Sequence, residues 1–336
     1  MLVPIFLPHL GCHERCIYCN QTHITHLREN NVQEAIRKAM TDHEGQIEIG
    51  LFGGNIFGVD AGQLKRLFSY FDEYEHRISN FRISTKPVPL TAEVIEMLKT
   101  NRVTVVELGI PTFNDAILSS VNRGHTVQDL ISTYEAMVSE GFRVAFQFMV
   151  GLPGEAMEDI RETVQNMVRL KPDYIRIYPL VVLGNTTLGE MYKEGALTPI
   201  PLDAALDRAT FIYLHALRNN IKVVKMGLTD NEVMKENVLA GHYHPAFGYL
   251  VKSRAFCLAV LARLRAVRMK GANVAVYLND RDIPHLVGNK RGNIARFEQE
   301  GLSVTWEKRE IERNNFAVWC DGRSMTGNIF DALELL

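Results

Sequence analysis

Three of the chain's five cysteines, Cys12, Cys16 and Cys19, fall within eight positions of one segment, GCHERCIYCNQ (residues 11–21). Closely spaced thiolates in one loop suit an iron–sulfur cluster, because a short segment must wrap several irons. A four-iron cubane held by three cysteines leaves one iron without a protein ligand. A catalytic zinc site keeps an open position in the same way. Zinc itself is the rival reading: His9 and His13 flank the loop, His23 and His26 follow it, and one histidine would complete a Cys3His site. Zinc ribbons, however, pair two knuckles distant in sequence, and no second knuckle occurs. Cys257 lies inside a long helical pattern and Cys320 ends a strand pattern, so both read as small buried hydrophobes. The third alternative is three neighbouring thiols that bind nothing.

The loop follows a strand candidate at 3–7. After it, short β-branched runs alternate with longer helical periods. Strands are expected at 46–52, 81–85, 103–110, 143–150, 174–178 and 222–226, and helices at 32–40, 64–73, 92–99, 115–121, 127–140, 157–170 and 202–219. Thr91 reads as the N-cap of the helix beginning at Ala92. Such alternation implies a parallel sheet with right-handed crossovers, and six or seven units suit an incomplete or full barrel. From about residue 235 the pattern changes. A long helix is expected at 245–268 with an arginine-rich second half, then a strand at 272–278, a helix at 289–300, and strands at 303–307 and 316–320. The expected division is a barrel over 1–235 and a small α+β extension over 236–336, packed on the barrel because no Gly/Ser linker separates them.

Composition narrows the class. Apolar residues make up 46% and charged residues 23%, as in a soluble globular chain with a large core. Lys+Arg number 37 and Asp+Glu 39, so no strong overall field gathers nucleic acid or an anionic membrane. The opening MLVPIFLPHLG lacks a basic n-region and a small-residue cleavage site, and no apolar run reaches the roughly 20 residues of a membrane span. Clustered cysteines without a secretion signal point to metal or redox chemistry in a reducing compartment, so the expected location is cytoplasmic, with no membrane partner.

Cys12-x3-Cys16-x2-Cys19 after a first strand, with Tyr18 before the last cysteine, resembles the signature of the radical S-adenosylmethionine (SAM) superfamily. LFGGN (51–55), VNRGHT (121–126), GLPGE (151–155), IRIYPLVVLGNTTL (175–188) and AGHYHPAFGYLVKSR (240–254) narrow the likeness. They are similar to the radical SAM half of the Elongator catalytic subunit and to its short bacterial relatives. The resemblance covers most of the chain and implies an α/β fold, a partial (β/α)6 TIM-like barrel with a small C-terminal α+β extension. It implies a [4Fe–4S] cluster on Cys12, Cys16 and Cys19, with SAM chelating the open iron. One electron from the cluster would cleave SAM to methionine and a 5′-deoxyadenosyl radical, which abstracts hydrogen from an unidentified substrate, with RNA a candidate. The electron donor would be a protein such as flavodoxin or ferredoxin. The Elongator subunit's acetyltransferase half has no counterpart before Leu336, so acetyl-CoA chemistry is not expected.

The resemblance also implies SAM contacts. Gly53 and Gly54 end a strand at the face where barrel chemistry sits, and glycine allows close backbone approach to the SAM amino group. Arg123 aligns with an arginine that reaches the SAM carboxylate, Gln147 with a polar residue at the ribose, and Gly151 and Leu152 with residues flanking the adenine. Tyr178 ends the sixth strand and either lines the site or caps the core. Three positions depart from the pattern: Asn55 follows the glycine pair where Thr or Glu is usual, Ser84 stands where a carboxylate is usual, and Pro111 replaces a glutamine. Glu107 remains on the fourth strand. These losses make a cluster- or SAM-binding protein without catalysis one alternative. The other is a zinc-stabilised RNA-binding module, drawing on His23, His26 and a basic rim of Arg263, Arg265, Arg268, Lys270, Lys290 and Arg291, although a solvated helix face explains the same charges.

Overall fold

Seven strands form one sheet in the order β1-β2-β3-β4-β5-β6-β8: β1 (Leu2–Phe6), β2 (Ile47–Phe52), β3 (Ile78–Thr85), β4 (Val103–Gly109), β5 (Arg143–Val150), β6 (Tyr174–Pro179) and β8 (Lys222–Met226). The pairings from β1 to β6 are all parallel. This is the α/β partial barrel of the expected class. The computed structural model describes residues 1–20, 32–229, 232–266 and 273–336. His23, His26, Arg268 and Lys270 therefore lie outside the described residues.

The chain divides into two compact units, one of residues 1–199, 221–225 and 229–243, the other of 200–220, 226–228 and 244–336. The helix Leu202–Arg218 groups with the second unit. In the first unit several crossover helices start where a short polar side chain can take orphan amide protons. Thr91 Oγ1 accepts from Val94 N at 3.3 Å, Asn114 Oδ1 from Ala116 N and Ile117 N, and Thr126 and Asp129 form a reciprocal capping box. The strands bury one face against these helices. Ile78, Phe81, Ile83 and Thr85 of β3 are buried, while Asn80, Arg82 and Ser84 turn the other way. Phe81 meets Phe68 and Phe71 edge-on at 5.3 and 5.0 Å, the geometry aromatic quadrupoles favour. A short antiparallel pair, β7 (Val181–Leu183) with β9 (Val238–Gly241), is too brief to leave a periodic signature in the sequence.

The second unit holds a four-stranded sheet in the order β11-β10-β12-β13, from β10 (Asn273–Leu278), β11 (Ser303–Lys308), β12 (Asn315–Cys320) and β13 (Arg323–Asn328). Val274, Val276, Leu278, Phe316, Val318 and Cys320 form its buried face. The helix Phe247–Ala266 is mostly buried, and its Arg254 is neutralised by Asp207 through two hydrogen bonds of 2.6 and 2.9 Å. Arg263 is bound to Asp331 and Arg265 to Glu300, so these two members of the expected basic rim are ion-paired. Cys257 and Cys320 are buried, as small hydrophobes should be. Among the described residues no helix is long and apolar enough to cross a membrane.

Candidate active site

The cysteine loop leaves β1 and is held from several directions. Its first turn is tied to the end of β2: His9 N donates to Gly53 O at 3.1 Å and Asn55 N to Leu10 O at 2.7 Å. A β-carbon on Gly54 would stand 2.7 Å from Leu10 O and 2.9 Å from Leu7 O, so glycine is required by the loop itself. Further along, Ile17 N donates to Val121 O, Asn122 Nδ2 to Arg15 O, Asn20 Nδ2 to Asn185 O and Lys86 Nζ to Glu14 O. Ile17 and Tyr18 pack on a cluster of Ile117, Val121, Leu152, Leu180, Val182 and Leu188. Leu152, the expected neighbour of the adenine, is thus part of the loop's apolar seat. Gly151 N donates to Glu155 Oε2 at 2.6 Å, closing the turn after β5.

Asn55 is the hub of these ties. It is 5% exposed; its Nδ2 donates to Gly11 O at 3.2 Å, and its Oδ1 accepts from Thr85 Oγ1 at 2.8 Å and Lys86 N at 3.0 Å. Its side chain therefore bolts the cysteine loop to the end of β3. Pro111 is accommodated too: Ile110 N donates to Gln147 O and Pro111 O accepts from Met149 N, a pattern that asks no N–H of residue 111.

Around the thiols the field is positive. Arg123 Nη1 donates to Cys16 Sγ at 3.3 Å and Nη2 to Gly109 O at 2.6 Å, while its Nε is buried without a partner. A β-carbon at residue 109 would meet Nη2 at 2.3 Å, so Gly109 makes room for this guanidinium. Burial pushes the Cys16 thiol up, but Arg123 and Lys86 outweigh it and hold the thiol below its ordinary value. The Cys12 thiol lies above its ordinary value because burial prevails there over Lys86. His125 is pushed down to about 3, by burial first and then by Arg123 and Lys86, and neither ring nitrogen has a partner.

Among the described residues no three His, Cys, Asp or Glu side chains are gathered as on a single metal ion. A cluster needs less convergence, since each thiolate binds a different iron. The donor set fits such a group: three thiols in one loop, one of them already biased to thiolate by a guanidinium whose Nε N–H has no partner. His13 Nε2 stands 2.9 Å from Gly58 O.

The inward face of the strands is polar, where barrel interiors are usually filled by branched apolar side chains. Glu107, fully buried, accepts from Arg176 Nη2 at 2.8 Å, Tyr174 Oη at 2.7 Å, Gln147 Nε2 at 2.7 Å and Arg82 Nη1 at 3.4 Å. Gln147 also donates to Ser84 Oγ at 3.2 Å, and Arg82 reaches Glu48 at 2.9 Å. Gln147 and Ser84, expected at SAM, are therefore members of one lumen network. Sequence reasoning gave no role to Glu48, Arg82, Tyr174, Arg176 or Lys225. Their signal was present as charged or hydroxyl-bearing residues within otherwise apolar strands, as in NFRIS, YIRIY and VVKM.

Fold and cysteine loop together define the class. The sequence matches the Radical SAM superfamily over residues 6–167 and the Radical SAM C-terminal domain over residues 172–255, and the chain belongs to this superfamily, whose cofactors are a [4Fe–4S] cluster and SAM. Within it, the chain is 34% identical over 154 residues to the tRNA uridine(34) acetyltransferase of Methanocaldococcus jannaschii, covering 45% of this chain and 28% of that protein. It is 26% identical over 200 residues to the heme chaperone HemW of Lactococcus lactis, covering 55% and 51%. Among solved structures it resembles the archaeal Methanocaldococcus infernus Elp3 with an N-terminal deletion (TM-score 0.57, 20% identity, 80% of this chain and 64% of that one). It also resembles coproporphyrinogen III oxidase, HemN, of Escherichia coli (TM-score 0.52, 17% identity, 65% and 52%). The chain spans less than two-thirds of the length of each, and the structural likenesses establish the fold.

Proposed function

We propose that this chain is a radical SAM enzyme whose Cys12, Cys16 and Cys19 hold three irons of a [4Fe–4S] cluster, with SAM on the fourth. The observation that carries this reading is the three-cysteine loop, tied to the ends of β2 and β3 and facing Arg123 at 3.3 Å from Cys16. When bound and reduced, the cluster supplies the electron that cleaves SAM to methionine and a hydrogen-abstracting 5′-deoxyadenosyl radical. Arg123 and Lys86 offset the charge of the thiolates in a site shielded from water. The buried Arg123 Nε N–H, aligned by resemblance with a SAM-carboxylate contact, is the donor left for that carboxylate. Gly53, Gly54, Asn55 and Lys86 hold the loop in register with the strand ends. Gln147, Ser84 and Glu107 fix the polar lumen, with Gly151 closing the turn beyond β5. The electron donor is a low-potential protein of the flavodoxin or ferredoxin kind. RNA is the substrate class supported by the likeness to tRNA uridine(34) acetyltransferases, a likeness that covers under half of this chain.

Anaerobic reconstitution tests the reading. The expected result is about four irons and four sulfides per chain, a reduced-cluster electron paramagnetic resonance signal, and 5′-deoxyadenosine on adding dithionite and SAM. Serine at any of the three cysteines is expected to abolish the signal. Stoichiometric zinc with no cluster signal refutes the assignment, and a cluster without 5′-deoxyadenosine formation leaves cofactor binding but overturns the enzyme.

A further inference from the structure

We propose that the barrel lumen holds an anionic group of the substrate, a phosphate or a carboxylate, between Arg176 of β6 and Lys225 of β8. The inference rests on the radical SAM reading only in calling the anion part of a substrate; the anion site itself follows from the lumen charges. Arg82 and Arg176 share the lumen with Glu48 and Glu107, and Lys225, partly buried on β8 beside β6, brings a third cation to the same sheet. Arg82 is occupied by Glu48, Glu107 and Tyr174. Glu107 already accepts from four donors, two of them the Arg82 and Arg176 guanidiniums, so its one charge is shared among the lumen cations.

Two donors are left over. The Arg176 Nε is buried and has no partner, while its guanidinium lies 5.5 Å over the ring of Phe52, which closes one side. Lys225 has no carboxylate partner among the described residues; its ammonium donates only to the Thr229 hydroxyl, a neutral group. Burial first, and then repulsion from Arg176, holds the Lys225 ammonium below its ordinary value, with Glu107 offsetting this only in part. Tyr178, two residues from Arg176 on the same face of β6, is hydrogen-bonded to the Arg176 side chain and lines the same space. A buried guanidinium N–H without an acceptor and a partly buried ammonium without a carboxylate are costly unless a ligand completes them. SAM does not fill this role: its sulfonium is a further cation, and its single carboxylate is assigned to Arg123. An anion between Arg176 and Lys225 receives two charge-assisted hydrogen bonds and restores charge balance.

Isothermal titration calorimetry of the reconstituted protein with inorganic phosphate and, separately, malonate tests this. Saturable binding of one of them is expected, weakened about tenfold or more in Lys225→Gln and retained in Lys225→Arg. Stronger binding of phosphate identifies a phosphate ester and stronger binding of malonate a carboxylate. Arg176→Gln is expected to behave like Lys225→Gln; if it fails to fold because Glu107 is orphaned, the Lys225 pair decides alone. No saturable binding of either anion, or equal binding by Lys225→Gln, overturns the proposal. The same titration on cluster-free protein separates the two readings. Loss of 5′-deoxyadenosine formation with anion binding intact counts against the radical SAM assignment alone, and the reverse counts against the anion site alone.

Discussion

Replacing Asn55 with alanine removes three buried hydrogen bonds at the junction of the cysteine loop and β3. Two of the stranded partners, Gly11 O and Lys86 N–H, gain no alternative; the Thr85 hydroxyl already reaches Lys86 O at 3.2 Å and can rely on it. Each stranded buried group costs about 1–3 kcal/mol, so the substitution should destabilise the first unit by about 2–6 kcal/mol. For a unit of this size that corresponds to a fall in Tm of roughly 10 °C. Because Gly11 lies next to Cys12, iron bound after reconstitution should fall as well. Asn55→Asp keeps the acceptor for Lys86 N–H and Thr85 but sets a carboxylate oxygen against Gly11 O, so its losses should be intermediate. Thermal unfolding of the cluster-free protein, with iron analysis after reconstitution, provides the measurement. An Asn55→Ala protein with unchanged Tm and full iron content, but weakened SAM binding, would refute the bracing role and make Asn55 a cofactor contact.

Two further outcomes follow from other buried charges. Arg254 is 8% exposed while the Asp207 side chain is 34% exposed, so stranding the arginine costs more than stranding the carboxylate. Asp207→Ala should lower stability by about 3 kcal/mol, and Arg254→Met by less, in urea unfolding. His125 has a folded-state value near 3 against an ordinary 6.5, so the unfolded chain binds the extra proton between these limits. The stability of the neutral, buried ring is fully present above pH 6.5 and is lost as pH falls towards 3. The stability difference between wild type and His125→Leu, measured across that window by urea unfolding, should shift against the wild type as pH drops; a flat difference would contradict the buried neutral ring.

The class of this protein was legible in the sequence because its signals are local. Cys12, Cys16 and Cys19 lie within one loop, and thiolate chemistry depends on their spacing more than on distant contacts. Strand and helix periods, a cap such as Thr91, and the glycine pair at a strand end are set by neighbours a few residues away, so the parallel alternation could be read directly. What each site residue does was not legible. Asn55 meets partners at Gly11, Thr85 and Lys86, 30 to 44 residues distant, and only the packed strand ends reveal it as a brace. Gln147 and Ser84 looked like isolated polar positions until β3, β4 and β5 came side by side around Glu107. Arg123 stood in a loop motif, yet its contact with Cys16 spans 107 residues and depends on the space left by Gly109. The surplus of cations in the lumen is likewise invisible in a chain whose overall charge is −2, because charge balance is decided by which side chains share a buried space. Local spacing determined the cofactor class; the long-range pairing of parallel strands decided which polar groups are satisfied and which still await a partner.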